Sequence, residues 1–223
     1  MDQNINFIPD IYLYGVTVYS TIHLLTGDYP KPDTYGEIKE THYVPGGETG
    51  NSALILANLG YKVKIDGPFL GTKSRDGIIN FYKKFTIDCS SLSYDPSYEG
   101  LLDIVLIDPN TRTVFGKFGH YFGGRVKRWS EPDEQAIASA KIVTIDPWFQ
   151  EESQKVAELC VKHNKPYVTI DCEPESYYHA HAAATVISNE YIQNHYAKED
   201  VQALLQRYLA ATEGLVIFTF GSR

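Results

Sequence analysis

The chain has 223 residues, a length that favours one α/β domain with a large core over two independent domains. Its 28 acidic and 20 basic residues give a formal charge of -8 without a run of like charges, which argues against nucleic acid as a partner. Its apolar stretches fall far short of the ~20 residues of a membrane helix, so we expect no membrane partner and a soluble, cytoplasmic protein.

The first half of the chain predicts core strands interrupted by antiparallel ribbon. The runs "IYLYGV" (11–16) and "KVKIDG" (62–67) have the apolar pattern of core strands, whereas "GEIKETHYVP" (36–45) has that of a ribbon. The runs 101–107 and 113–119 are predicted to form a second ribbon pair, joined at residues 108–111, whose Asp-Pro-Asn-Thr sequence is typical of a hairpin turn. These hairpins predict a small β-flap beside the main sheet.

The stretch "VPGGETGNSALILANLG" (44–60) places paired glycines just before an apolar helical pattern. Gly46 and Gly47 allow backbone conformations that are closed to other residues, and a close approach to a ligand. Asn51 lies in the first turn of a helix predicted over 51–59, where free N–H groups and the helix dipole favour polar or anionic groups. The stretch suits a hydroxyl-rich or phosphorylated ligand, but its spacing alone leaves open a tight turn that Asn51 merely caps.

From residue 141 the chain alternates strand and helix patterns. The strands are "KIVTID", "PYVTID", "ATVIS" and "LVIFTF", and the helices span 150–164 and 198–214. Gly214 is predicted to close the second of these helices. Before them, Ser130 is predicted as the N-cap of a helix that carries Pro132 in its first turn. Apolar strands that alternate with helices predict a parallel sheet covered on both faces.

Several of these stretches resemble the PfkB or ribokinase-like carbohydrate kinases. The segment "GGETGNSALILANLG", followed by "GPFLG", is similar to the family's first signature, with its glycine pair, its Asn and Ala, and a Gly after the helix. The other matching stretches are "DIYLYGVTVYSTIH", "AKIVTID", "PYVTIDCEPES", "ATVISNEYI" and "GLVIFTFGSR". The first is similar to the family's opening strand and substrate loop, and the next two together are similar to its central βαβ unit. The fourth is similar to the strand before an Asn-x-x-Glu motif, and the last to a later strand that ends in Thr-x-Gly. Together they cover nearly the whole chain.

This resemblance implies a Rossmann-like, three-layer α/β/α fold with a mainly parallel sheet and a small β-sheet lid. Residues 1–223 would form a single ribokinase-like domain, with a discontinuous lid from about 17–45 and 92–125. The implied activity is transfer of a phosphoryl group from ATP, with Mg²⁺, to a hydroxyl of a sugar or nucleoside-like substrate. The resemblance also implies a homodimer formed through the lid.

The same resemblance implies roles for individual residues. Substrate contacts are expected from Ser20, Gly46, Gly47, Asn51 and Arg112, and nucleotide phosphate contacts from Asn189, Thr219 and Gly221. Ligands of open parallel sheets bind beyond the carboxyl ends of the strands, which agrees with these positions. As a turn residue, Arg112 also suits a solvated position. Asp146 and Asp171 each end a strand, where they either steer magnesium and phosphate groups or simply begin a loop.

Two positions depart from the family pattern. The opening strand of the family commonly presents an Asp to the substrate, but Ser20 stands nearest that place, and a hydroxyl cannot supply the charge-assisted bond of a carboxylate. The Asn-x-x-Glu motif carries Ile192 where the family has its magnesium-organising Glu. Glu190 is the candidate metal ligand in its place, although neighbouring helical positions point about 100° apart.

A third departure concerns the catalytic base. The family's second signature, a Gly-Ala-Gly-Asp segment that carries the base, has no counterpart in these 223 residues. We therefore expect that the chain is C-terminally incomplete and assign no catalytic residue within it. The alternative is a non-catalytic ligand-binding or regulatory relative, motivated by Ser20, Ile192 and the missing signature. A dinucleotide-binding Rossmann-like enzyme ranks last because no GxGxxG follows the first strand.

Overall fold

The computed structural model describes residues 7–124 and 126–221, which form two β-sheets flanked by helices. The strands are β1 (Ile11–Tyr14), β2 (Val18–Leu25), β3 (Ile38–Gly46), β4 (Val63–Asp66), β5 (Leu102–Ile107), β6 (Arg112–Gly116), β7 (Ile142–Ile145), β8 (Tyr167–Ile170), β9 (Ala184–Ser188) and β10 (Leu215–Thr219). The α-helices are α1 (Glu48–Asn58), α2 (Arg75–Tyr82), α3 (Gly119–Phe122), α4 (Glu134–Ser139), α5 (Gln150–Lys162), α6 (Tyr177–Ala180), α7 (Asn189–Tyr196) and α8 (Val201–Ala210). Within these described residues, no helix combines the length and the apolar character that crossing a bilayer requires.

The larger sheet has six strands in the order β10-β9-β8-β7-β1-β4, and all of its pairings are parallel. Successive side chains of a strand point to opposite faces, so this sheet is covered on both sides. Leu13 packs in an apolar cluster with Ala53 of α1, whereas Tyr14 packs in a second cluster with Val156 of α5. The predicted three-layer α/β/α arrangement is therefore confirmed.

The smaller sheet has four strands in the order β3-β2-β5-β6. The pairs β2–β3 and β5–β6 are antiparallel, whereas β2 and β5 pair in parallel. The predicted hairpin turn joins β5 to β6, where Asp108 Oδ1 accepts hydrogen bonds from the backbone N–H groups of Asn110 and Thr111, both at 2.7 Å. The predicted small β-flap is thus present as a mixed sheet beside the parallel one.

The start of α1 lies three residues earlier than the pattern predicted. The helix begins at Glu48, and its N-cap is Gly47, which has a φ of 82° and provides no side-chain cap. Asn51 therefore lies at the end of the first turn and does not cap the helix. The apolar periodicity that predicted a start at 51 could not detect a first turn made of Glu, Thr and Gly.

Two other helix boundaries correct the sequence predictions. Asp133, not Ser130, is the N-cap of α4, because its Oδ1 accepts a hydrogen bond from Ala136 N at 3.0 Å. The Ser130 hydroxyl instead donates to Asp66 Oδ1 at 2.8 Å, and Pro132 precedes the helix. Helix α8 ends at Ala210, so Gly214 does not close it. An added Cβ at Gly214 would collide with the Ala182 carbonyl oxygen, so close backbone packing explains this glycine.

A buried carboxylate joins three segments at the start of α1. Asp146 follows β7 and is only 4% exposed, and its Oδ2 accepts hydrogen bonds from Val16 N at 2.7 Å and from the Thr49 hydroxyl at 2.9 Å. Burial, assisted by the nearby charge of Glu48, raises the pKa of Asp146 to about 7. A Cβ at Gly15 would collide with both the Asp146 carboxyl and the Thr49 hydroxyl, so only glycine leaves room for this contact.

We expect the Asp146→Asn variant to change how stability depends on pH. In the unfolded chain this carboxyl has its ordinary pKa of 3.8, so between roughly pH 4 and 7 the unfolded state loses a proton that the folded state keeps. Ionisation therefore favours unfolding increasingly across this range, and an Asn, which keeps an acceptor oxygen, lacks that penalty. Thermal unfolding of both proteins should show the difference in Tm, variant minus wild type, rising between about pH 5 and pH 8.

Asp76→Asn is the matched control, since it removes the same charge from an exposed side chain of α2. Its Tm difference should change little over the same range. An Asp146→Asn difference as flat as that of the control would contradict the role of the buried carboxylate.

Candidate functional site

A pocket of about 360 Å³ lies between the smaller sheet and the start of α1; we call it the α1 pocket. The five residues that the sequence predicted as substrate contacts all line it: Ser20, Gly46, Gly47, Asn51 and Arg112. The rest of the lining is mainly apolar and includes Val18, Ile22, Val44, Val105, Val114 and Phe118. The structure thus brings the predicted residues together, while their binding role stays a prediction.

The glycine pair forms the inner wall of the α1 pocket. At Gly47, the positive φ of 82° is a conformation that other residues rarely adopt, and an added Cβ would lie 2.6 Å from the Val16 carbonyl oxygen. At Gly46, which ends β3, an added Cβ would collide with the Ser20 hydroxyl. Gly47 thus requires a glycine, a side chain at Gly46 would displace the Ser20 hydroxyl, and the backbone of both residues borders the pocket.

One face of the smaller sheet forms the opposite wall. Side chains alternate along each strand, so every second residue of β2 and β5 points into the α1 pocket. On β5 the residues on this face are Asp103, Val105 and Ile107. Registers between strands place Ile22 beside Val105, and Val105 beside Val114. Ile22, Val105 and Val114 therefore form an apolar row across this wall of the pocket.

Asp103 is a polar residue of this wall that the sequence analysis did not single out. It is the register partner of Ser20 across the parallel pair β2–β5. Burial raises its pKa, and the nearby Ser20 hydroxyl partly offsets that effect. Its Oδ1 is buried and has no hydrogen-bond partner among the described residues. The signal in the sequence was a lone carboxylate in an otherwise apolar strand, on the same side as Val105.

Glu48 is a second lining residue that the sequence analysis missed, because the helix was predicted to begin at residue 51. Although much of its side chain is exposed, displacement of water by the surrounding protein raises the pKa of its carboxyl. The charges of Asp171 and Glu190 act in the same direction, and that of Arg112 acts against them. Glu48 is therefore electrostatically coupled both to the α1 pocket and to the strand ends beside it.

The residues predicted to hold nucleotide phosphates lie outside the α1 pocket, at the carboxyl ends of β9 and β10. Asn189 is the first residue of α7, whose N-cap is Ser188, with its hydroxyl accepting from Tyr191 N at 3.0 Å. Thr219 is the register partner of Ser188, and Gly221 follows with a φ of 67°. The three predicted residues are thus grouped at the carboxyl ends of the strands of the larger sheet.

The acidic groups at this edge do not form a metal cage. The Asp171 carboxylate accepts hydrogen bonds from Ser188 N at 2.7 Å and from the Ser188 hydroxyl at 2.9 Å, which shows a loop-fixing role. Ile192 is buried in an apolar cluster with Leu204 and cannot replace a carboxylate. Glu190 is exposed in the first turn of α7. Across residues 7–124 and 126–221, no group of three acidic, His or Cys side chains is arranged to hold a metal ion.

Solved structures share this fold at low sequence identity. A fructokinase from Halothermothrix orenii superposes with a TM-score of 0.75 and 16% identity, over 95% of this chain and 80% of its own. The ribokinase of Arabidopsis thaliana, solved with ribose and ATP, has a TM-score of 0.70 and 14% identity, over 94% and 72%. A Methanocaldococcus jannaschii nucleoside kinase, an archaeal member of the ribokinase family, has a TM-score of 0.63 and 18% identity, over 96% and 71%. These likenesses establish the ribokinase-like fold.

A comparison with curated proteins found no match. The family profile described as "pfkB family carbohydrate kinase" matches residues 9–223, nearly the whole chain. The sequence motifs, the two-sheet fold and this match agree with one another, and the chain belongs to the pfkB family of carbohydrate kinases.

Proposed function

We propose that this protein transfers the γ-phosphoryl group of ATP to a hydroxyl of a sugar or nucleoside-like substrate that binds in the α1 pocket. The observation that carries the proposal is the convergence of Ser20, Gly46, Gly47, Asn51 and Arg112 on one pocket of a family member. Bare backbone at the start of a helix offers N–H donors to polar groups without a side chain in the way. The smaller sheet lies within the lid segments proposed from the sequence, so we propose that it is the lid of this pocket.

For the nucleotide we propose the neighbouring strand ends. Asn189, Thr219 and Gly221 would contact the ATP phosphates, since the carboxyl ends of parallel strands are where such sheets bind ligands. Mg²⁺ is usually held by one or two carboxylates together with substrate phosphates and water, so the lack of a protein cage among the described residues is compatible with it. We propose the exposed Glu190 as its protein contact, and bound Mg²⁺ would neutralise phosphate charge.

The chain's own residues then position the reactants. Phosphoryl transfer depends chiefly on alignment and charge neutralisation, and closing the smaller sheet over the substrate would exclude water. Arg112, on β6, lines the α1 pocket, and its positive charge acts on Glu48. We assign no catalytic base within these 223 residues. A non-catalytic ligand-binding relative remains the alternative, and the burial of Ile192 favours it.

The first experiment is an acceptor screen with the full-length protein and Mg-ATP. ADP release is measured with D-ribose, D-fructose and adenosine, each against an acceptor-free control. We expect at least one acceptor to raise ADP release well above that control, with the phosphorylated product visible by mass spectrometry. Binding of one acceptor without ADP release would support the ligand-binding alternative, and neither binding nor turnover would refute the proposal.

A second experiment closes the pocket at its glycine wall. Gly46→Ala places a Cβ against the Ser20 hydroxyl inside the pocket, so the KM for the accepted substrate should rise about tenfold, equivalent to roughly 1.4 kcal/mol of binding. Gly27→Ala is the matched control, since an added Cβ there meets no atom within 4 Å. Both variants are first compared with wild type by thermal unfolding. A KM as unchanged in Gly46→Ala as in Gly27→Ala would remove this wall from the substrate site.

We further propose that two copies of the chain associate through the smaller sheet. The face of this sheet opposite the α1 pocket exposes Tyr43 at 59%, Ile104 at 46% and Phe115 at 50%. Registers place these three side chains in one row across the sheet. Sedimentation should give a dimer that Phe115→Ser weakens, whereas Val201→Ser, at an exposed apolar residue of α8, should not. A monomer at all concentrations would exclude this interface.

A further inference from the structure

Ser20 leaves the α1 pocket without the carboxylate that the opening strand was expected to present. The structure places another carboxylate immediately beside it. Ser20 and Asp103 are register partners on adjacent strands, so their backbones are about 4.8 Å apart. Both side chains point into the α1 pocket, next to the glycine wall.

The unsatisfied hydrogen-bonding capacity of Asp103 indicates that its carboxylate binds a ligand. Its Oδ1 is buried without a hydrogen-bond partner, and no ion pair to it exists among the described residues. A buried, unpaired polar group costs stability, because water that would satisfy it has been displaced. The neighbouring wall residues Val105 and Val114 are apolar and provide no donor. The Ser20 hydroxyl is the nearby donor in this wall, so the unpaired Oδ1 needs a further donor, which a ligand in the pocket can supply.

We propose that Asp103 is a substrate-binding residue of this protein, accepting hydrogen bonds from substrate hydroxyls in place of the carboxylate absent at Ser20. A carboxylate accepts two hydroxyl donors through charge-assisted bonds, which are stronger than bonds to a neutral hydroxyl. The ligand class follows from the wall of the pocket. It is a polyol or sugar whose hydroxylated end meets Asp103 and Ser20 and whose less polar face lies on Ile22 and Val105.

This inference rests on the proposed function, and it makes Asp103 a specificity-determining residue that the family motifs do not mark. The charge of Arg112 lies in the same pocket but forms no ion pair with Asp103. The two charged groups therefore remain available to different parts of one ligand, the carboxylate to hydroxyl donors and the guanidinium to acceptors.

The test relocates the carboxylate within the pocket. Asp103→Asn keeps the size of the side chain and removes its charge, and Ser20→Asp combined with Asp103→Asn restores a carboxylate one strand away. The KM of whichever of D-ribose, D-fructose and adenosine is phosphorylated fastest should rise at least tenfold in Asp103→Asn. It should fall again by at least threefold in the double variant. Asp76→Asn is the matched control and should leave the KM unchanged.

A ligand-free measurement separates binding from folding. Because the buried Oδ1 of Asp103 has no hydrogen-bond partner among the described residues, Asp103→Asn should unfold at a Tm equal to or above that of wild type. A lower Tm with an unchanged KM would assign Asp103 a structural role and overturn the inference. A double variant that binds as weakly as Asp103→Asn would also contradict it.

Failure of the inference and failure of the proposed function give different results. An active wild type whose KM is the same in Asp103→Asn refutes only the inference. If no acceptor supports ADP release, the proposed kinase activity fails, and calorimetric binding of D-ribose and D-fructose decides the inference. Weaker binding by Asp103→Asn then supports it, whereas equal binding, or none by either protein, overturns it.

Discussion

The pocket depends on one buried carboxylate. Asp146 accepts hydrogen bonds from the backbone after β1 and from Thr49 in the first turn of α1, and it thereby ties the end of β7 to both. Gly15 makes room for this contact. With these three segments held, Gly47 can begin the helix at a positive φ without a capping side chain. A wall of bare backbone is thus held in place by the protein itself, and the proposed phosphoryl transfer would use this preorganisation.

The mixed pairing of the smaller sheet provides the other wall. Its two hairpin pairs are joined by the parallel contact between β2 and β5, and that contact brings Ser20 and Asp103 side by side although they are far apart in the chain. Alternation then divides the sheet into a pocket face with Val105 and an outer face with Ile104. One set of strands therefore carries the proposed substrate surface on one side and the apolar surface proposed for association on the other.

The sequence allowed the fold to be predicted because its signals are local. Apolar strands, helical periodicity and the Asp108 turn each depend on a few neighbouring residues, and the structure contains all of them. Helix boundaries were less predictable where two neighbouring side chains both suit the N-cap. Ser130 and Asp133 both suit an N-cap, and the choice depends on Asp66, a distant residue that binds the Ser130 hydroxyl.

The glycine wall of the pocket was predicted from the sequence, whereas some of the polar residues that line the pocket were not. Paired glycines before a helix also suit a plain tight turn, so it was the family resemblance that marked Gly46 and Gly47 as expected substrate contacts. Asp103 was missed because its position in the pocket depends on which strand pairs with β2. A parallel register between residues some eighty positions apart cannot be detected from the local sequence pattern. Glu48 was missed for a simpler reason, since apolar periodicity does not report a polar first turn.

The α1 pocket is the proposed acceptor site. The most direct measurement is a crystal structure of the full-length protein with D-fructose or D-ribose and a non-hydrolysable ATP analogue. We expect sugar between the Gly46–Gly47 backbone and the smaller sheet, with hydroxyls within hydrogen-bonding distance of Asp103 and Asn51. Sugar bound elsewhere on the protein, with this pocket occupied only by solvent, would contradict it.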